Sequence, residues 1–441
     1  MALEDDVSNK RAKLERCPGP DGRDVALFNL AVALYKRFVK GGEIDDLDEA
    51  IALLHDVLEL RPPGHADRAS SLHWLALCLV IRYDNREVVS DLEEAVMLGR
   101  EALELHPPGH QNRGLSLYNL ACGLGRRFLK HEQSRDLEEA IELHRASLEL
   151  RPSGHPDRSS SLYSLALCLS NRYDNGGEVA DLEEAVRLGR AALKLRPPGH
   201  PMRGASLYNL ADFLWKRFQQ HALMHDLDEA IELHRAALEL RASGHPERFS
   251  SLHSLALCLS SRYDNRGVVA DLEGAVVLGR VALELRPPGH PDRDVSLYNL
   301  AQDLRGRSQE HSAKHDLEEA IELHRAALEL RPSGHPERSS SLHSLALCLS
   351  DRYDDQGVFT DLKEAVTLGR AALELNPPGY PDRGVCLFNL ACNLRRMFQT
   401  HSVMRDLEEA IELHRAALEL CPSEDPDRSS SLHELAFCLS D

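Results

Sequence analysis

The chain has 441 residues, and its 71 Asp plus Glu outnumber 52 Lys plus Arg for a formal net charge of −19. That balance argues against a nucleic-acid backbone or an anionic membrane as the main partner, since both attract basic surfaces. Hydrophobic residues are 42% of the chain but aromatic residues only 5%. A Leu-, Ala-, Glu- and Arg-rich composition of this kind reads as helical, and its apolar mass argues against global disorder.

Met1 to Lys10 is acidic and polar, without the apolar stretch of a secretory signal. No run approaches the roughly 18 apolar residues of a transmembrane helix. The expected compartment is cytoplasmic. Residues 1–17 read as a lead-in or a degenerate helix, and the array occupies 18–441. Asp-Leu recurs at Asp46, Asp91, Asp136, Asp181, Asp226, Asp271, Asp316, Asp361 and Asp406, a step of 45 residues each time. An Arg keeps the same step from Arg23 and Arg68 through Arg203 to Arg428. Two versions of the unit alternate, so fidelity is highest at 90 residues: 226–270 and 316–360 differ at eight of 45 positions. A one-dimensional stack grows easily by such duplication, because each unit contacts mainly its neighbours.

Each unit predicts two helices. In Asp316 to Leu330, the Asp reads as an N-cap, Glu318 and Glu319 suit the first turn, and Leu317, Ala320, Ile321, His324, Ala327 and Leu328 follow helical spacing. Pro332, Ser333 and Gly334 stop that helix. Ser339 to Ser341 offer caps for the next, which carries Leu342, Leu345, Ala346 and Leu349 on one face. Over the whole chain this gives ten segments of the second kind (helix A) and nine of the first (helix B).

Leu252-x2-Leu255-Ala256-x2-Leu259, then Ala275-x6-Ala282 and Pro287, resembles the tetratricopeptide repeat signature. The Pro recurs at Pro62, Pro107, Pro152, Pro197, Pro332, Pro377 and Pro422, with Ala242 as the exception. The resemblance implies an all-α, right-handed superhelical α-solenoid of 45-residue helix pairs arranged as 90-residue double units. It also implies a non-enzymatic protein–protein interaction scaffold that holds a peptide or protein partner in a concave groove. The phrases RPPGHPDR and DLEEAIELHR further resemble the long fungal repeat arrays associated with CHAT domains. They imply an alternative, the sensor or regulatory arm of a larger protease-type signalling protein whose effector lies outside this chain.

The chemistry-bearing residues read mostly as structural. His65, His110, His155, His200, His245, His290 and His335 recur once per turn and do not converge, whereas a metal needs three or four ligands around one ion. They are expected to pack on or bond the turn, and no metal or cofactor is expected. The recurrent Arg sits at a helix N-terminus, where the dipole disfavours it. An inter-unit ion pair with an acid such as the Asp that opens helix B is the expected compensation, and an anion-binding row of arginines is the functional alternative. Cys78, Cys168, Cys258, Cys348 and Cys438 lie one double unit apart, too far for disulfides. No nucleophile or metalloprotease motif appears, so no enzyme is expected.

Candidate groove residues follow from the matching position in peptide-binding members of the resembled family. Asn29, Asn119, Asn209, Asn299 and Asn389 recur in the phrase (Phe/Tyr)-Asn-Leu-Ala on alternate helices A. A carboxamide donates and accepts, so it suits a peptide backbone, though it could equally bond a neighbouring helix. Tyr118, Tyr208 and Tyr298 precede three of them, and Lys36, Arg126, Lys216 and Arg396 end four of the five stretches. The stretches after Leu-Ala differ from copy to copy, whereas Leu-Ala-Leu-Cys-Leu stays constant in the intervening units. The end, Ser429 to Ser440, is as apolar as its inner counterparts. It predicts a continuation of the chain or self-association through an uncapped C-terminal end.

Overall fold

The computed structural model describes residues 2–16, 19, 22–41, 43–421 and 427–440, so Pro422 lies outside the described residues. Among the described residues every element is a helix. After α1 (Ala2–Glu15), helix A is α2 (Arg23–Val39), α4 (Arg68–Arg86), α6 (Arg113–His131), α8 (Arg158–Asp174), α10 (Arg203–His221), α12 (Arg248–Arg266), α14 (Arg293–His311), α16 (Arg338–Gln356), α18 (Arg383–His401) and α20 (Asp427–Ser440). Helix B is α3 (Ile44–Leu60), α5 (Val89–Glu104), α7 (Ser134–Glu149), α9 (Val179–Lys194), α11 (Met224–Leu240), α13 (Val269–Glu284), α15 (Lys314–Glu329), α17 (Phe359–Leu375) and α19 (Met404–Leu420). The protein is an all-α solenoid of paired repeats. It divides into two compact bodies, Met1–Asp226 and Leu227–Asp441.

Packing inside each body is between sequence neighbours. In the first, α2 touches α4, α4 touches α6, α6 touches α8 and α8 touches α10; in the second the series runs α12, α14, α16, α18, α20. Among the described residues no helix B approaches the next helix B as closely. Helix A therefore forms the close-packed side of each stack. The wider gaps between B helices are spanned by long exposed pairs, such as Arg100–Glu139 at 2.7 Å and Arg280–Glu319 at 2.6 Å. Such pairs are worth only ~0–1 kcal/mol each.

The apolar stripe falls where the periodicity places it. Helix B of one unit buries Leu317, Ala320, Ile321, His324 and Ala327, and helix A buries Leu342, Leu345, Ala346, Cys348 and Leu349. The turn after helix B closes through His335 N–H to the Pro332 carbonyl at 3.0 Å. Gly334 stands at φ 91° there, a conformation that a side chain would strain. His335 Nδ1 accepts the Glu337 N–H at 3.2 Å, and His65, His110, His155, His200, His245 and His290 repeat the bond.

Three expectations about polar contacts are corrected. The Asp opening helix B is not its N-cap: Ala313 occupies that place, and Asp316 lies in the first turn. Nor does it pair with the ten-fold Arg. Its partner is an Arg nine residues earlier, at the end of helix A. Arg82 Nε reaches Asp91 at 2.7 Å, and Arg127–Asp136, Arg217–Asp226 and Arg307–Asp316 repeat the pair. The ten-fold Arg instead donates to carbonyls at the C-terminal end of the preceding helix B: Arg203 reaches the Arg196 carbonyl at 2.6 Å, and Arg338 bonds those of Arg331 and Leu328. Cationic donors at unsatisfied C-terminal carbonyls complement the dipole of that helix. The serines of helix A are not caps: Ser341 Oγ accepts from Arg331 Nη1 at 2.8 Å and Ser161 from Arg151 at 2.7 Å, while Ser339 Oγ donates to the Ala372 carbonyl at 3.1 Å.

The Arg307 bonds hold the Asp316 carboxyl below its ordinary value of 3.8. A depressed carboxylate contributes stability above its unfolded pKa, lost as pH falls through the folded one. Arg307→Ala strands an Asp only 8% exposed. The expected cost is about 3 kcal/mol at pH 7 by urea unfolding, shrinking below pH 4 as Asp316 protonates. Arg338→Ala removes only the carbonyl bonds and is expected to cost about 1 kcal/mol.

Candidate functional site

The candidate groove residues all lie on helix A, the close-packed side of each stack. Asn29, Asn119, Asn209, Asn299 and Asn389 are half-buried. Two of them bond the preceding helix A: Asn209 Nδ2 donates to Tyr163 Oη at 2.6 Å, and Asn389 lies 3.4 Å from His343 Nε2. Among the described residues, the side chains of Asn29, Asn119 and Asn299 make no hydrogen bond. Tyr118 and Tyr298 reach forward instead, to Ser164 at 3.2 Å and Ser344 at 3.1 Å. Their rings are covered by the Arg151 and Arg331 guanidinium groups, with His144 and His324 at their edges. These two tyrosines act as spacers between helices, and Tyr208 is half-buried like them.

The basic residues at the helix A ends split in the same way. Lys36 is exposed. Arg126 pairs with Asp84 at 3.1 Å on the preceding helix A. Lys216 Nζ is held by Asp174 at 2.8 Å, by Asp212 at 3.1 Å and by Ser170 Oγ at 3.1 Å. Arg396 is held by Asp354 at 2.8 Å, with Ser350 Oγ and Asn393 Oδ1 both at 3.1 Å. An Asp 42 residues upstream is the common partner.

Two constellations were not anticipated from sequence. The first lies between α12 and α14, where a cavity of about 350 Å³ is lined by Ser260, Asp264, Asn299, Asp303 and Gly306, among others. Ser260 Oγ donates to Asp303, which is 8% exposed, and burial pushes the Asp303 carboxyl up to about 7. The signal available in the sequence was the missing basic residue at Gly306, in a series basic at Lys36, Arg126, Lys216 and Arg396. In the second, Cys392, His414 and Glu434 bring one potential ligand atom each within 4.8 Å of one another. His414 is fully buried with neither ring nitrogen bonded, while Glu434 is engaged by Arg395 at 3.2 Å. His144, His234 and His324 are equally buried on their own helices B, and burial depresses each to about 3, which keeps the rings neutral.

A carboxyl raised by burial favours the fold while protonated. Its contribution is complete below about pH 3.8 and is lost as pH rises through 7. The wild-type protein is therefore expected to be less stable at pH 8 than at pH 5 through this residue. Asp303→Asn should abolish that component, read as the difference between urea midpoints of the two proteins at both pH values.

A family model described as the tetratricopeptide repeat matches residues 295–337, which span helix A, helix B and the following turn of one unit. No curated protein matches the chain. Among solved structures, it is similar to the nearly identical TPR-like repeats of a Podospora anserina protein named as a kinesin light chain, at 26% identity over 49% of this chain and 96% of that one, with a TM-score of 0.35. A human IFIT1 dimer solved with PPP-AAAA shares 14% identity over 99% of this chain and 93% of that one, with a TM-score of 0.46. YrrB, a TPR protein with an unusual peptide-binding site, shares 19% over 52% and 96%, with a TM-score of 0.34. The unit that the tetratricopeptide repeat model matches, 295–337, is one of a series of near copies that recur at a constant 45-residue step.

Proposed function

We propose that the chain is a non-enzymatic scaffold that binds a peptide or protein partner along the helix A face. The observation that carries this reading is the state of Asn29, Asn119 and Asn299, half-buried carboxamides without a side-chain hydrogen bond among the described residues. Their amide atoms are open to solvent rather than sealed in the core, and an extended backbone offers both a donor and an acceptor that a carboxamide can pair with. The residues around these Asn vary between copies while the intervening helices stay constant, which concentrates variation on one face. Tetratricopeptide scaffolds are interaction modules. The net charge of −19 favours a protein over a nucleic acid as partner. No helix among the described residues is long and apolar enough to cross a membrane. Cys78, Cys168 and Cys348 are buried free thiols, which suits a reducing, cytoplasmic setting. The sensor-arm alternative rests on the two sequence phrases and requires an effector domain encoded beside this array.

Substitution separates the two kinds of Asn. Changing Asn29, Asn119 and Asn299 together to Ala should leave the melting temperature within about 2 °C of wild type and abolish co-purification of the cellular partner. Asn209→Ala removes an existing bond and should destabilise by about 1 kcal/mol instead. Retention of the same partner by the triple variant refutes groove binding through these residues.

A further inference from the structure

The cavity between α12 and α14 is one member of a series. At the corresponding place in the preceding double unit, Lys216 puts an ammonium between Ser170, Asp174 and Asp212. In the following one, Arg396 puts a guanidinium between Ser350, Asp354 and Asn393. Ser350 also donates to Asn393 at 2.7 Å. The middle copy keeps the Ser and the first Asp as Ser260 and Asp264, and its Asp303 stands where the following copy has Asn393, with the matching bond from the Ser; the preceding copy has Phe213 there and supplies Asp212 from the adjacent position instead. The middle copy has Gly306 where the others carry the cation. Where Arg396 faces one carboxylate and a neutral amide, the middle copy offers two carboxyl groups and no cation. Among the described residues, neither Asp264 nor Asp303 has a cationic partner. Arg305 of α14 also lines the cavity but is bonded elsewhere, to Asp351 at 2.7 Å, and Gln309 supports the same carboxylate at 3.1 Å. Tyr263 donates to Glu310 at 2.6 Å and leaves its ring at the cavity wall. The volume, about 350 Å³, opens on the helix A face beside Asn299.

We propose that this cavity binds the cationic end of an aliphatic chain, an alkylammonium or alkylguanidinium group, supplied by a lysine or arginine side chain of the protein partner. Asp303 forms the floor, Asp264 the exposed rim, and Ser260 holds the floor carboxyl in place as Ser350 holds Asn393. The ligand class follows from the two filled copies, where one Lys and one Arg occupy the same place between the corresponding Ser and Asp. The aliphatic stem runs where the stems of Lys216 and Arg396 run from helix A, along space that Gly306 leaves open. The identity of the supplier rests on the scaffold reading above; the cation site itself does not.

Titration calorimetry with n-butylammonium chloride on the full chain tests the site. One binding event per chain is expected. Asp303→Asn should weaken it at least roughly tenfold, the loss of one charge-assisted hydrogen bond. Gly306→Lys is the stronger test, because a Cβ at Gly306 meets only Leu272 and Tyr263 at 3.5–3.7 Å and so fits. The tethered lysine should fill the cavity, raise the melting temperature and eliminate butylammonium binding. Adding Asp303→Asn to it should reverse part of the gain. Absence of heat in wild type, equal heat in all variants, or the same heat from MgCl2 overturns the proposal. The supplier is read separately, with the pentapeptide acetyl-Gly-Gly-Lys-Gly-Gly-amide against its norleucine analogue. Binding of the lysine peptide alone supports a partner side chain. Binding of butylammonium without the peptide refutes the protein supplier and leaves a free amine as ligand, whatever the fate of the Asn variants.

Discussion

The guanidinium near the end of helix A is bonded to the Asp of its own helix B and, at Arg82, Arg127, Arg172, Arg217 and Arg262, to an acid on the preceding helix B as well. One side chain thereby ties three helices. The fork suits Arg, whose donors meet a carboxylate two at a time, and a Lys could not make the same set. Burial makes the arrangement compulsory. Asp91, Asp136 and Asp226 are 2%, 3% and 0% exposed, and a carboxylate at that depth without its cation would cost several kcal/mol. The one copy that lacks the Arg makes the same point. Met397 stands where Arg307 and Arg352 stand, and the matching Asp406 is only half-buried.

Alternation of two unit types has an equally local cause. In one type the middle of helix B carries Gly, and a Cβ at Gly99, Gly279 or Gly369 would come within 3.2–3.3 Å of Leu120, Leu300 or Leu390 on the next helix A. The other type carries His at the same position, and His144 and His324 pack edge-on against Tyr118 and Tyr298 of their own helix A. Close approach on one side of a unit is thus matched by a bulky spacer in the next. A single 45-residue unit does not contain both halves of this arrangement, so the 90-residue pair is the unit that can be copied without repacking.

Helix pairing was legible because its determinants are periodic: the apolar stripe, the Pro-x-Gly-His turn and the buried Ala positions all recur at one step. The partners of the arginines were not legible from that step. Each unit carries arginines near the end of helix A, at the end of helix B and at the start of the next helix A. Periodicity states that they recur without stating which meets which. Arg61 finds Ser71 ten residues on, while Arg68 turns back seven residues to the Arg61 carbonyl. The angle of the turn decides those offsets. The groove residues were half legible for the same reason. Sequence placed Asn, Tyr and the basic ends on one helix, but Tyr163–Asn209 and Asp174–Lys216 are contacts between successive A helices. They convert part of a candidate binding face into inter-repeat bonds.

The remaining part of that face is defined by departures from the repeat. In an array of near copies, a polar frame that is filled twice and left open once isolates the open copy from ordinary packing. Loss of the basic residue at Gly306 alone would leave Asp264 at the surface, where water satisfies it at little cost. The second change, to Asp303 where the following copy has Asn393, adds a carboxyl at 8% exposure in the same frame. Drift toward a quieter core would have removed polarity there, as Gly123 and Phe213 do at the matching position of the two preceding copies. Burial then favours the proton on Asp303, and a bound cation would favour its release. Occupancy of this one cavity is therefore coupled to the charge of a group in the interior of the stack. The filled copies, with their cations built in, have no such freedom.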